Sequence, residues 1–254
     1  MQPIIEVTKL IKEYGQKGSV YRALKGIDLK VEKGEFIGIM GPSGSGKTTL
    51  LNILSTIDSA TSGQVKIEGK DVTAIKTKDI AEFRRSLIGF VFQDFNLLDN
   101  MTIRDNIALP LTLNNAKASI ILEKTEELTK KLGIYEQLDK YPYQLSGGQK
   151  QRAAICRALV GNPKVVFADE PTGALDSRAA TELLECFKKV KAEFGTTLVM
   201  VTHDAAVASY CDRVLFLKDG TISGQMESGG DTSTFYQKIL NMLAMMGGKG
   251  HERH

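Results

Sequence analysis

The sequence predicts an α/β fold: a mainly parallel sheet covered by helices, with a small antiparallel β subdomain and a helical insert. Three observations carry this. The short apolar runs Glu35–Met40, Val165–Asp169 and Leu198–Thr202 have the length of buried strands, and helical stretches follow them. Such alternation builds parallel sheets. The first ~35 residues and Gln64–Glu68 read instead as short alternating strands joined by turns, the pattern of an antiparallel piece. Between Asp94 and Gly161 the strand patterns vanish.

Taken in order, Glu35–Met40 runs into a Gly-rich turn, and a helix is predicted from about Lys47 to Ile57. Ser119–Leu132 has helical periodicity and a Glu/Lys face, and Gly147–Leu159 is helical again. Both belong to the insert, a helical subdomain over about residues 94–161. Thr181–Phe194 is the helix after the Val165–Asp169 strand. Gly229-Gly230 then breaks the chain before Thr234–Met246, where Phe235, Ile239, Met242 and Met246 share one helical face. Residues 1–228 are expected to form one domain, and residues 229–254 a tail with a short amphipathic helix.

Composition bounds the function classes. At 254 residues, 42 % hydrophobic and 25 % charged, the chain has the make-up of an ordinary globular protein of one or two domains. Its longest uninterrupted apolar run is Met242–Met246, far short of the ~18 residues a membrane span needs. Met1–Glu6 has neither a basic n-region nor an apolar h-region, so no secretory signal is expected. Thirty-three Lys and Arg against 30 Asp and Glu give +3. That lacks the strong basic excess of a nucleic-acid binder, so no nucleic-acid partner is expected. Cys156, Cys186 and Cys211 are odd in number and lack CxxC spacing, which predicts reduced thiols. Only His203 lies outside the C-terminal tail, so His-based metal or triad chemistry has little raw material.

Gly41-Pro42-Ser43-Gly44-Ser45-Gly46-Lys47-Thr48 fits GxxxxGK[ST], and Thr49 follows it. Backbone amides of such a loop converge on phosphate oxygens, and glycines allow the positive φ values this requires. The next helix aims its positive end at the same charge. Lys47 is placed for the β- and γ-phosphates and Thr48 for Mg²⁺. By composition the pattern arises in roughly one chain in a hundred of this length, and its place between strand and helix is the context it needs. The core is thus predicted to be a P-loop NTPase (RecA-like) that binds a nucleotide with Mg²⁺, and the P-loop alone does not choose among kinases, GTPases and ATPases.

Val165–Asp169 ends in Asp169 and is followed by Glu170. Asp169 suits a Mg²⁺ contact through water. Glu170 is positioned either to polarise an attacking water or to form a surface ion pair, and the strand alone does not choose. Leu145-Ser146-Gly147-Gly148-Gln149 decides the class. A hydroxyl and two bare amides opening a helix make a second anion cradle, and one ATP does not fill two cradles of one chain.

With these motifs the sequence resembles the ATP-binding cassette (ABC) ATPases, from about Pro3 to Ser223. In that family two cassettes pack head to tail, with ATP between the P-loop of one and the LSGGQ of the other. The resemblance implies that Ser146, Gly147, Gly148 and Gln149 serve the nucleotide of a second copy. Tyr14, by itself an ordinary strand-end tyrosine, matches the aromatic that stacks on adenine. Gln93 matches the glutamine that ligates Mg²⁺ and senses a transporter partner. Ala174-Leu175-Asp176 matches the D-loop, although Gly173 stands where many members have serine. His203 matches the histidine that contacts the γ-phosphate, and Glu170, His203 and Lys47 form the implied catalytic set.

Finer stretches narrow the branch. Tyr21–Gly26, Ile88–Leu98 and Ala168–Ser177 look like the lipoprotein-release and macrolide-exporter (LolD/MacB) group. Asp94–Asp99, Gly133–Tyr135, Lys140–Pro142, Ala208–Cys211 and the tail look closer to the Bce-type ATPases of bacitracin and lantibiotic resistance. That implies an ATP-hydrolysing subunit on the cytoplasmic face of a membrane, partnered by an integral permease and, through it, a sensor kinase. A soluble DNA-repair cassette would insert a long coiled coil, whereas Leu145 follows Lys47 by only 98 positions. A translation-type ABC ATPase would carry two cassettes. A P-loop kinase or GTPase would lack LSGGQ. Phe95, Leu97 and Leu98, near Gln93, are candidate partner contacts, though the helical-domain core is the expected place for each.

Overall fold

The structure, a computed structural model, describes residues 3–16 and 18–247. The chain divides into two units, residues 1–73 with 199–254, and residues 74–198.

The first unit opens with β1 (Ile5–Gln16) and β2 (Ser19–Val31), an antiparallel pair. At 12 and 13 residues these strands are longer than the short ones expected, because β-bulges absorb the twist without ending the ladder. β3 (Phe36–Met40) is buried at all five positions, as a strand covered on both faces must be. It leads into α1 (Lys47–Leu54). That helix stops three residues short of the predicted Ile57. Thr56 turns left-handed (φ 62°), and the amides of Ile57 and Asp58 both donate to the Asn52 carbonyl. The early stop fixes Asp58 beside β1. β4 (Ser62–Ile67) and β5 (Lys70–Asp71) complete a sheet of order β2-β1-β4-β5.

The second unit holds α2 (Thr77–Leu87), β6 (Ile88–Val91), α3 (Ile103–Leu113), α4 (Ala118–Lys131), α5 (Gly147–Leu159), β7 (Val165–Asp169) and α6 (Ser177–Phe194). β6 and β7 run parallel. At Gly89 a Cβ would lie 2.4 Å from the Ala158 carbonyl, so only glycine lets β6 approach α5 this closely. α6 starts four residues earlier than predicted, because Asp176 caps it by accepting the Ala179 amide at 2.8 Å.

β8 (Thr197–Val201) runs from the second unit back into the first. There α7 (Ala205–Ala208), β9 (Arg213–Lys218), β10 (Thr221–Glu227) and α8 (Thr232–Gly247) follow. β9 lies parallel to β3 and antiparallel to β10. α8 packs on its own unit: Phe235 and Ile239 are fully buried, and Lys218 Nζ caps the helix through the Met246 carbonyl at 2.7 Å. Residues 248–254 of the tail lie outside the described residues. Among the described residues no helix is long and apolar enough to cross a membrane. Among the described residues, Cys156, Cys186 and Cys211 form no disulfide.

Candidate functional site

In the first unit the turn from β3 to α1 is built by glycines that no other residue replaces. A Cβ at Gly41 would meet the Leu217 carbonyl at 2.0 Å. Gly46, with φ 102°, would bring one to 2.8 Å from the Ala23 carbonyl. Gly46 also caps α1 with no side-chain hydrogen bond, and the first turn carries no acid. Neither a capping side chain nor a first-turn acid therefore answers its amides and positive dipole end. Lys47 Nζ folds back on the loop, donating to the Gly41 and Pro42 carbonyls at 2.9 and 3.0 Å. The Ser45 hydroxyl is buried with no hydrogen-bond partner. A concave turn with a cation, spare amides and a spare hydroxyl is a phosphate cradle.

Two tyrosines directly opposite each other on β1 and β2 flank this turn. Tyr21 donates to the Gly44 carbonyl at 3.2 Å. Tyr14 donates to Asp58 Oδ2 at 2.8 Å and also meets the Thr49 hydroxyl. Burial raises the Tyr14 phenol pKa, Asp58 raises it further, and Thr49 partly offsets them. His203 is exposed just past β8, and the next residue, Asp204, caps α7.

In the second unit Ser146 is the N-cap of α5. Its hydroxyl accepts the Gln149 amide at 3.3 Å, while Gln149 Oε1 accepts the Ser146 amide at 3.0 Å. This reciprocal capping box occupies the Gln149 side-chain oxygen, so Gln149 shapes the cradle through the cap. Gly147 and Gly148 sit in ordinary helical backbone and leave the helix end bare. An open cleft of about 470 Å³ borders residues 146–149, Arg152 and residues 174–176.

The segment after β6 is held in an unusual shape. Phe95 and Asn96 are consecutive left-handed residues, at φ 62° and 49°. Arg157 of α5 donates to both their carbonyls, at 2.5 Å to Asn96 and 2.9 Å to Phe95. The Asn106 side chain, fully buried, accepts the Leu98 amide and donates to the Leu98, Met101 and Thr102 carbonyls. None of Phe95, Leu97 and Leu98 is core, contrary to expectation: Leu98 is 42 % exposed and the other two are half-buried. With the loop pinned through its backbone, the side chains need not be inside. Gln93 lies against Gly173, where a Cβ would come within 3.0 Å of Nε2.

β7 ends on Asp169, and Glu170 follows with φ 43°. A left-handed glutamate at a strand end is local strain of the kind that gathers at active sites. The Gly173 amide and Gln151 Nε2 brace the turn through the Glu170 and Pro171 carbonyls, at 2.9 and 2.7 Å. Sequence reasoning missed Tyr21, Asp58, Asn106 and Arg157. Arg157 left a trace, as the one cation in the otherwise buried stretch 153–159 of α5. Asn106 left none.

A glycine-rich strand-to-helix cradle with its lysine, together with a strand-end Asp-Glu, defines a P-loop NTPase. Residues 24–173 match the ABC transporter family, and the chain belongs to it. It is 49 % identical over 246 residues to the bacitracin export ATP-binding protein BceA of Halalkalibacterium halodurans, covering 96 % of this chain and 97 % of that one. It is 44 % identical over 220 residues to the macrolide export ATP-binding/permease protein MacB of Chlorobium luteolum, covering 87 % of this chain but 33 % of that longer one. A solved dimeric structure of the ATP-binding cassette MJ0796 bound to ADP and Pi aligns with TM-score 0.81 at 38 % identity, covering 89 % of this chain and 100 % of that one. The chain is an ATP-binding cassette of a transporter, and its reaction is ATP hydrolysis.

Proposed function

We propose that this chain is the ATPase subunit of an exporter conferring resistance to antimicrobial peptides of the bacitracin and lantibiotic kind. The observation that carries the reading is coverage. The match to the bacitracin export protein spans 96 % of the chain, whereas the macrolide exporter matches 87 %.

The site chemistry follows from the residues. Tyr14 stacks on adenine. The P-loop amides of residue 41 and residues 43–46, with Ser45 and Lys47, take the phosphates, and Lys47 exchanges its carbonyl partners for phosphate oxygens. Thr48, Gln93 and, through water, Asp169 offer a hydroxyl, an amide oxygen and a carboxylate, an all-oxygen set that suits Mg²⁺. When bound, Mg²⁺ offsets phosphate charge. Glu170 orients and polarises the attacking water, and His203 contacts the γ-phosphate. Residues 146–148 of a second copy close over the same nucleotide in a head-to-tail dimer. Hydrolysis removes the γ-phosphate that bridges the halves, and the dimer opens.

The partner is a permease, which holds the chain at the cytoplasmic face and links it to a sensor kinase. A groove of about 540 Å³ in the second unit supports this docking. Phe90, Phe92, Leu109 and Leu113 line it, with Arg84 and Arg85 among its walls. Apolar walls with three arginines, Arg157 being the third, suit an amphipathic permease segment bearing an acid. The test is deletion of the gene in its host, followed by challenge with bacitracin, a lantibiotic and a macrolide. Sensitisation to the peptides alone is expected. Sensitisation to the macrolide alone moves the chain to the macrolide branch.

A further inference from the structure

Beneath Tyr14 lies a group that no motif includes. Lys12 is on the same strand, and its side chain is only 10 % exposed. A buried ammonium must find partners for its N–H groups. Lys12 Nζ donates to Asp58 Oδ1 and to the Ser59 carbonyl, both at 2.7 Å. It also sits 4.7 Å from the centroid of the Tyr14 ring. Asp58 is shared: one carboxylate oxygen takes Lys12 and the other takes the Tyr14 hydroxyl at 2.8 Å. Thr49, on α1, meets the same phenol. The ring is thus fixed at its hydroxyl and backed on one face by a cation. Tyr14 is still 42 % exposed, and with the ammonium on the buried side that exposure belongs to the other face and edge.

We infer that Lys12 and Asp58 determine base recognition, holding Tyr14 as a rigid, cation-backed platform that selects the purine ring of the nucleoside triphosphate. This rests on the reading of Tyr14 as the adenine platform. Two effects act together. A ring already locked in its bound orientation loses no rotamer freedom when the base arrives. A cation behind the ring draws π density towards itself, leaving the open face better matched to an electron-rich purine. Recognition by a π face follows stacking area, so ATP and GTP are favoured over CTP and UTP. The tether to Thr49 keeps the platform at a fixed distance from the P-loop helix. Lys12 is a positioning residue, since it acts through Tyr14.

The test measures binding of ATP, CTP and inorganic tripolyphosphate, each with Mg²⁺, by calorimetry on the full chain. Tripolyphosphate reports the phosphate cradle alone. Tyr14→Ala should weaken ATP by about tenfold, as loss of a base–aromatic stack does, and leave tripolyphosphate unchanged. Lys12→Met should weaken ATP about three- to tenfold, spare tripolyphosphate, and shrink the preference for ATP over CTP. Lys12→Arg should restore most of it. In the Tyr14→Ala background, Lys12→Met should cost nothing further. Asp58→Asn, which keeps shape, gives the same pattern and stands in should Lys12→Met fail to fold. If Tyr14→Ala weakens ATP while Lys12→Met and Asp58→Asn do not, the platform stands and the role of Lys12 and Asp58 is refuted. If Tyr14→Ala binds ATP normally, the platform reading itself fails. Equal losses of ATP and tripolyphosphate in Lys12→Met mean a distorted P-loop and also overturn the inference.

Discussion

Two helix N-termini of this chain carry glycines for anions, and they are built on opposite principles. At the start of α1 the backbone is contorted: Gly41, Gly44 and Gly46 all have positive φ, and a Cβ at Gly41 or Gly46 would strike a carbonyl. No side chain caps that helix. At the start of α5 the backbone is relaxed. Ser146 and Gln149 cap each other, and Gly147 and Gly148 are ordinary first-turn residues. The P-loop uses glycine for conformation, and in the proposed function it holds its own chain's phosphates. The second cradle uses glycine for bareness, and in the proposed function it presents a self-capped end to a nucleotide on another copy.

The largest expected effect falls on the step that follows closure of both cradles. Glu170→Gln keeps size but removes the basic oxygen. Turnover should drop by about 10²–10⁴-fold, or about 3–5 kcal/mol of barrier, while ATP binding survives. The variant should accumulate as an ATP-bound dimer, visible by size-exclusion chromatography against an ADP control. Normal hydrolysis in the variant would make the carboxylate structural. Loss of ATP binding would place it in the ground-state site.

The comparison itself breaks or holds on two glycine substitutions. Gly46→Ala forces a Cβ into a left-handed position 2.8 Å from the Ala23 carbonyl. It should destabilise the chain by about 2–5 kcal/mol and abolish ATP binding. Gly148→Ala meets only the Ala179 methyl at 3.5 Å, an ordinary contact. Alanine also suits a helix better by up to about 1 kcal/mol. The melting temperature should therefore hold or rise, and ATP binding by the single chain should persist, while ATPase activity at high protein concentration falls about tenfold or more. If Gly148→Ala proves fully active, the α5 end is not a cradle.

A third test concerns the loop that Arg157 pins. Lysine keeps the charge at 157 but has no planar fork to serve two carbonyls. Arg157→Lys should lower the stability of the chain by about 1–3 kcal/mol with the P-loop unaffected, read as a shift of the urea midpoint with nucleotide affinity unchanged. No shift would mean that Phe95 and Asn96 hold their left-handed shape without it.

These contrasts also mark what the sequence could tell. Strands β3, β7 and β8 and helix α5 were legible because apolar runs and helical spacing are local signals, and the P-loop and LSGGQ were legible because phosphate cradles need fixed residue types at fixed spacing. The strand lengths of β1 and β2 were not, since bulges that extend a ladder depend on the partner strand. The end of α1 was missed because a left-handed threonine at 56 carries no composition cue. That turn sets Asp58 46 positions from Lys12 and 44 from Tyr14, so the triad exists only in three dimensions. Arg157 and Asn106 act on backbone carbonyls of a distant loop, contacts that have no sequence pattern.

The smallest expected effect lies in that triad, and its pH dependence is distinctive. Burial pushes the Asp58 carboxyl up, but hydrogen bonds from Lys12, Tyr14 and the Ser59 amide outweigh it and bring the pKa below the ordinary value of 3.8. A depressed folded pKa contributes stability that is fully present above the unfolded value and lost as pH falls through the folded one. The Tyr14 phenol is shifted the other way, above 10.0, by burial and by Asp58. Its contribution is complete below the unfolded value and disappears as pH rises through the folded one. Between about pH 5 and pH 9 both are whole. Asp58→Asn should therefore lower stability by about 1 kcal/mol or less, given that the group is partly exposed. The gap from the native chain should stay flat across that window and close below about pH 4, as Asp58 itself becomes neutral. Urea midpoints measured from pH 3 to pH 9 decide it. A gap that widens in acid would mean that the folded pKa of Asp58 is raised rather than lowered, so Lys12 and Tyr14 would not be holding a carboxylate and the cation-backed platform would lose its anchor.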